Sequence, residues 1–597
     1  MRLMRTIALA LLASAVVACG DVDNDDGVGS GLSLSAEATG IKSITFSWPD
    51  YPGATHYRLF VNPDGSSGYE QVGSDTTTTS SVVQLPVHLT DWVNARYLVE
   101  AYDAGGALAS SLPIDISPLM LDAIGYAKAS NPGISDAFGY RLAISGDGNT
   151  LVIAAAGEDS NSVGIGGNQD DETATDAGAV YLFVRSGETW LQQTYIKASN
   201  TDPFDAFGSS LALSHDGNTL AVGARGEDSP ATGTAGNQQL NTASDAGAVY
   251  LFTRGGGLWS QQAYLKASNT DAIDNFGSSV ALSSDGNTLA VGATGEDSAA
   301  TGIDGDEYAD TASNSGAVYL FTRSDASWSQ QAYLKASNSG ANDLFGYSVA
   351  LSGDGNTLVV GAVGEDSAAT GIDGDELSNA LIESGAVYLF TRSSGLWSQQ
   401  AYVKSSNTEV GDGFGASVAL SGDSNTLAVG ANLEDSSAVA VEGDQLNNTA
   451  VNAGAVYLFT RSADAWSQQA YLKALNTNAF DNFGAAVALS GDGHVLAVGA
   501  NLEDGAALGM DGELLDNTAP DAGAVYLYRR SAGVWSPVSY AKAPNTDAID
   551  EFGVSLALSS DGNTLAIGAI GEDSSASGIE GDMNNNFGAG MGAAYLY

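Results

Sequence analysis

Carboxylates recur in this chain at fixed places. An Asp stands two residues before each of seven Phe-Gly pairs: Asp136, Asp205, Asp274, Asp343, Asp412, Asp481 and Asp550. A Glu-Asp pair follows about twenty residues later each time: Glu158-Asp159, Glu227-Asp228, Glu296-Asp297, Glu365-Asp366, Glu434-Asp435, Glu503-Asp504 and Glu572-Asp573. If each Asp and the next pair meet, three hard oxygen donors converge. With loop carbonyls they could hold Ca²⁺, which takes six to eight oxygens. The opposing reading is that the Asp accepts backbone N–H bonds of its own loop while the Glu-Asp pair stays solvated. Acids in Asp304-x-Asp306, Asp373-x-Asp375, Glu442-x-Asp444 and Glu580-x-Asp582 add to the cation reading. No other cofactor is expected.

Other chemistry has little to stand on. The four histidines, His56, His88, His215 and His494, are neither periodic nor close in sequence. There is no Gly-x-Ser-x-Gly and no His-Glu-x-x-His. The expectation is a protein that is not an enzyme, with a polymer hydrolase as a distant alternative. Net charge is −50, from 71 acidic and 21 basic residues, which excludes nucleic acid as a partner. It favours cations or basic protein surfaces.

These acids need a scaffold, and the period supplies it. Phe-Gly recurs every 69 residues from Phe138 to Phe552, and Trp recurs at the same interval from Trp190 to Trp535. A fixed period marks an array of one supersecondary unit that buries its apolar faces only against neighbours. In the third unit, strands are expected at 276–283, 288–293, 316–323 and 328–336. A tight turn at Ser284–Asn287 and a long polar loop at Gly295–Ser315 separate the first three. Four antiparallel strands, seven times over, predict an all-β fold: a seven-bladed β-propeller over residues 119–597. The chain ends after a third strand, so a segment at 124–130, matching the fourth-strand pattern, is expected to complete the last unit. The alternating up-and-down order puts most acids of each unit on one face. Arg323 and Trp328 should meet across a hairpin as a cation–π pair. The Lys of each Tyr-x-Lys is expected to be a sheet-edge charge that discourages edge pairing.

Upstream, residues 31–118 alternate apolar and polar in short runs between turn residues. About seven strands without a Cys pair suggest a β-sandwich. The Trp48, Tyr57 and Tyr97-x-Val99-x-Ala101 strands resemble a fibronectin type III domain, with Trp48 and Tyr97 as core anchors. Residues 1–18 carry a basic start and a short apolar run ending in Val16-Val17-Ala18-Cys19-Gly20. This looks like the lipobox of a bacterial lipoprotein signal, which implies lipidation of Cys19. Residues 19–30 read as an acidic flexible tether. The membrane attachment expected is the lipid alone, on a bacterial cell envelope. Gly20 favours the outer membrane, on its periplasmic or surface side.

Phe-Gly, a turn, Val-Gly-Ala and Gly-Ala-Val-Tyr-Leu-Phe together resemble the FG-GAP repeat of integrin α-subunit propellers. The Pro after Val-Gly-Ala is missing, as at Val291-Gly292-Ala293-Thr294, and the first unit has Ile153-Ala154-Ala155. The family's Asp-x-Asp-x-Asp-Gly calcium loop is reduced to Asp285-Gly286-Asn287, so that site is not expected here. The resemblance implies adhesion or cell-surface recognition of a protein or glycan ligand. An alternative is a periplasmic envelope-assembly scaffold that docks basic partners.

Overall fold

The computed structural model describes residues 31–85, 88–187, 189–234 and 236–597. The leader 1–18, Cys19 and the tether 19–30 lie outside these residues. The described chain is all-β with almost no helix, and its four-stranded sheets are consistent with a β-propeller.

The apolar runs explain the sheets. In the third unit the strands are Phe276–Leu282, Thr288–Ala293, Ala317–Ser324 and Ser327–Leu334. The second strand is buried along its whole length, and the third over Ala317–Phe321. A strand buried on both faces reads as a continuous apolar run, not as an alternation. Between the first two strands the Asp285 carboxylate accepts the Ser283 hydroxyl at 2.6 Å and the Asn287 N–H at 2.9 Å. Asp285 is thus a turn residue, and Gly286 supplies the positive φ of +65°. Across the next hairpin the Arg323 guanidinium lies 5.5 Å from the Trp328 ring centre. The Trp328 indole N–H reaches back to Gln262 of the preceding unit at 3.0 Å.

Among the described residues seven sheets have four strands. Six use consecutive strands. The seventh joins Ser555–Leu558, Leu565–Ala569 and Ala593–Leu596 to Gly125–Ala127, with Tyr126 opposite Tyr595. That strand is shorter than the expected 124–130. After Ala127 the chain is taken over by a loop, Lys128 N–H donating to the Gly578 carbonyl at 2.8 Å. The first strand of each sheet lies against that of the next, and Ser555–Leu558 lies against Phe138–Ile144, so the series closes on itself.

A belt of backbone hydrogen bonds seals this closure. At the turns after the first strands, Gly146 N–H donates to His215, His215 to Ser284, Ser284 to Gly353, Gly353 to Gly422, Gly422 to Gly491, Gly491 to Ser560, and Ser560 back to Gly146, all at 2.8–3.1 Å. The turns pass close to one another here. A Cβ on Gly422 would sit 3.1 Å from the Gly491 carbonyl oxygen. His215 turns its ring across Gly146 and meets the Ser560 hydroxyl at 3.1 Å.

Residues 35–115 form two further sheets. One is Ser35–Gly40, Ser43–Ser47 and Ser80–Gln84 in that order. The other runs Glu70–Thr76, His56–Asn62, Arg96–Asp103 and Gly106–Ser110, with Ile114–Asp115 also against Arg96–Asp103. Their alternation turns Phe46, Trp48, Tyr57, Leu59, Tyr97 and Val99 into one buried core, in which Phe46 and Tyr97 rings lie 4.4 Å apart. This unit docks on the end of the array that carries the first-to-second and third-to-fourth turns. The Lys42 ammonium donates to the Asn563 carbonyl, Arg529 pairs with Asp91 at 2.8 Å, and Ile41 lies over Gly125 next to Leu596.

Candidate functional site

The acids gather at the opposite end, where the long loop after the second strand meets the connection that enters the first strand. In the third unit the recess between them is ≈ 200 Å³ and is lined by Asn269, Asp271, Asp274, Glu296, Asp297 and Asp310. The expected convergence of Asp274 with Glu296 and Asp297 is therefore present.

Their surroundings differ from expectation. Glu296 is buried, not solvated. One carboxylate oxygen accepts the Lys335 ammonium at 2.7 Å and the Ser298 N–H at 3.2 Å. The other accepts the Tyr333 hydroxyl at 2.7 Å and the Asn269 amide at 3.1 Å. Tyr319 in turn donates to the Asn269 carbonyl oxygen at 2.5 Å. All seven units hold the Lys–Glu pair at 2.6–2.9 Å, and the seventh, Lys128–Glu572, joins distant parts of the chain.

The lysines thus do not guard a sheet edge; they are buried. The edge needs no guard because the long loop folds back over it. Lys335 N–H donates to the Gly302 carbonyl at 2.8 Å, and Ile303 bridges to Leu334. Asp304 finishes the cover by accepting the Tyr333 N–H at 3.0 Å. Asp373, Asp511, Glu442 and Glu580 take the matching amides of Tyr402, Tyr540, Tyr471 and Tyr126. Burial pushes each of these lysines below its ordinary range, and the paired glutamate opposes that shift. Burial also raises Tyr319 well above the usual phenol range, with Glu296 beside it adding to the effect.

Asp274 is 3% exposed. Burial pushes its carboxyl up to about 7, against a lowering hydrogen bond from Asp271 N–H at 2.8 Å, while Glu296 raises it further. Asp136, Asp343 and Asp412 stand at about 7, and Asp205, Asp481 and Asp550 at about 8, for the same leading reason. Asp297 accepts the Asn314 N–H at 2.7 Å, and its six counterparts bond the same loop position.

Of the three acids expected to act together as cation donors, Glu296 is already engaged by four donors of the protein itself. The Lys335 ammonium matches the charge of Glu296, whereas Asp274 and Asp297 accept only backbone N–H groups of the loops around them. Among the described residues no group of three or more His, Cys, Asp or Glu is arranged to hold a metal. Sequence reasoning missed the Asn, the two Tyr and the Lys as partners of the Glu. The signal was present: all share its 69-residue period.

A sequence model described as FG-GAP repeat matches residues 190–252, 259–321, 328–390, 397–459 and 466–528. Each match begins on the fourth strand of one sheet and ends on the third strand of the next, so one repeat ties two sheets together. A search of curated proteins gives no match. With these five repeats spanning more than half of its length, the chain belongs to the FG-GAP repeat family.

Proposed function

We propose that this protein is a lipid-anchored recognition protein of the bacterial cell envelope, and that the acidic end of its array is the contact surface. The observation that carries this reading is the separation of the two ends. The N-terminal unit docks on the turn end through Lys42, Asp91 and Ile41, while Asp271, Asp297, Asp306, Glu307 and Asp310 crowd the other. An anchor at Cys19 would then hold the acidic end away from the membrane. The array is read as a seven-bladed propeller of the integrin α-subunit kind, which the closed contact series supports. The N-terminal unit is read as a fibronectin type III-like spacer, which its two antiparallel sheets of three and five strands support. The partner is a protein or glycan with a basic contact surface; catalysis and calcium play no part in this reading.

Binding of the full chain to immobilised poly-lysine tests it. Replacing Asp271, Asp306, Glu307 and Asp310 by their amides should weaken binding several-fold, and salt should weaken it further, because exposed charges are screened. Amide replacements at Asp325 and Asp464 on the other end should leave it unchanged. Equal loss from both sets would refute the reading.

A further inference from the structure

The acidic end also carries apolar side chains where the fold does not need them. Tyr308, Leu377, Leu446 and Leu515 stand one period apart on the long loops of four consecutive units, and they are 65%, 77%, 77% and 82% exposed. The same loop position holds Asp170, Gln239 and Asn584 in the remaining units, so a polar residue serves the fold equally well there. A single exposed Leu is ordinary, but a run of four on neighbouring units beside carboxylates is not.

Their placement is fixed by the backbone. The Asp306 carboxylate accepts the Tyr308 N–H at 3.2 Å, Asp375 that of Leu377 at 3.2 Å, and Asp444 that of Leu446 at 3.1 Å. Each loop tip therefore presents one apolar side chain next to a negative charge. Glu307 and Glu376 add carboxylates on two of the tips, and Glu513 lies two residues before Leu515. The surface offers no competing ammonium, since every lysine among the described residues is buried.

We infer that these four loop tips form a docking arc for a polypeptide in which basic side chains are interspersed with apolar ones. The inference rests on the recognition reading above and narrows its partner class. Negative charge draws the basic side chains, and the exposed Tyr and Leu side chains lose water against the apolar ones. A partner carrying charge alone would leave the four apolar side chains in water, and a purely apolar one would bury carboxylates without partners. Bonding along four consecutive units favours an extended segment over a single protruding residue.

The test uses the full chain and two labelled synthetic peptides of equal length and charge. One alternates lysine with leucine; the other alternates lysine with serine. The arc predicts that the lysine–leucine peptide binds at least several-fold more tightly. Combining Tyr308→Ser, Leu377→Ser, Leu446→Ser and Leu515→Ser should reduce it to the level of the lysine–serine peptide, with the melting temperature unchanged. Leu258→Ser with Leu396→Ser and Val534→Ser, on the other end, should have no effect. If both peptides bind the unaltered chain equally, or the fourfold variant keeps the preference, the arc is overturned while acidic recognition stands. If neither peptide binds, the recognition reading itself falls.

Discussion

The Lys–Glu pair decides what the periodic acids are for. A buried ion pair is a poor source of net stability, because desolvation cancels most of the attraction. Losing one partner is another matter. Lys335→Met leaves Glu296 buried and unmatched, with only hydroxyl, amide and N–H donors. The expected cost is about 3–5 kcal/mol, read by urea unfolding. Adding Glu296→Gln should recover most of it, since the uncompensated charge is then gone. The burial of all eight lysines gives a second outcome. Amine-directed acylation of the native chain should leave every lysine unmodified, and denaturation should expose them all, as peptide masses would report. The buried aspartates give a third. Their folded-state carboxyls lie at about 7 to 8, above the unfolded value of about 4. The folded state binds more protons across that window, so the stability they contribute is greatest in acid and is lost as pH rises through about 7 to 8. The melting temperature should therefore be higher near about pH 5.5 than near about pH 8, and Asp274→Asn should shrink the difference. The recurrence of these acids was plain in the sequence. Their partners were not read, because Lys335 and Asn269 stand well apart from Glu296 in the chain and meet it only after the sheet forms.

At the scale of elements, strands and turns were legible and edges were not. Thr288–Ala293 and Ala317–Phe321 announce themselves by unbroken apolar runs, and Asp285-Gly286 by turn chemistry. A Lys on an outermost strand looks like edge protection. The structure protects the edge by a different device, a loop that folds back and pins itself through Gly302, Ile303 and Asp304. Nothing in a polar loop of Gly, Ala, Ser and Asp reveals that return. The belt of turn hydrogen bonds was equally hidden, because it joins residues one full period apart. It carries its own prediction. A side chain at Gly422 crowds the Gly491 carbonyl, and a β-branched one cannot turn away as Ser284 does in its unit, so Gly422→Val should lower the melting temperature. Ser424→Ala, nearby but outside the belt, should cost much less.

The whole molecule combines a closed series of sheets with charge concentrated at one end. Its period makes the array visible in the sequence, and the fourth-strand pattern repeated around Tyr126 marks the segment that pairs with Ala593–Leu596. Which face the N-terminal unit covers could not be read, since it depends on contacts among Ile41, Lys42, Asp91 and Arg529 across distant parts of the chain. That docking leaves the acidic end free, and recognition through that end presupposes that the series is truly shut. A series left open would expose the edge of Ala593–Leu596, strand the Glu572 carboxylate without Lys128, and invite association through the gap. Amide hydrogen exchange of the native chain, read over Gly125–Lys128, tests this most directly. The account predicts protection equal to that of the fourth strand Ser327–Leu334, lost only in global unfolding. Exchange of those amides at the rate of exposed loop residues, while Ser327–Leu334 stays protected, would contradict it.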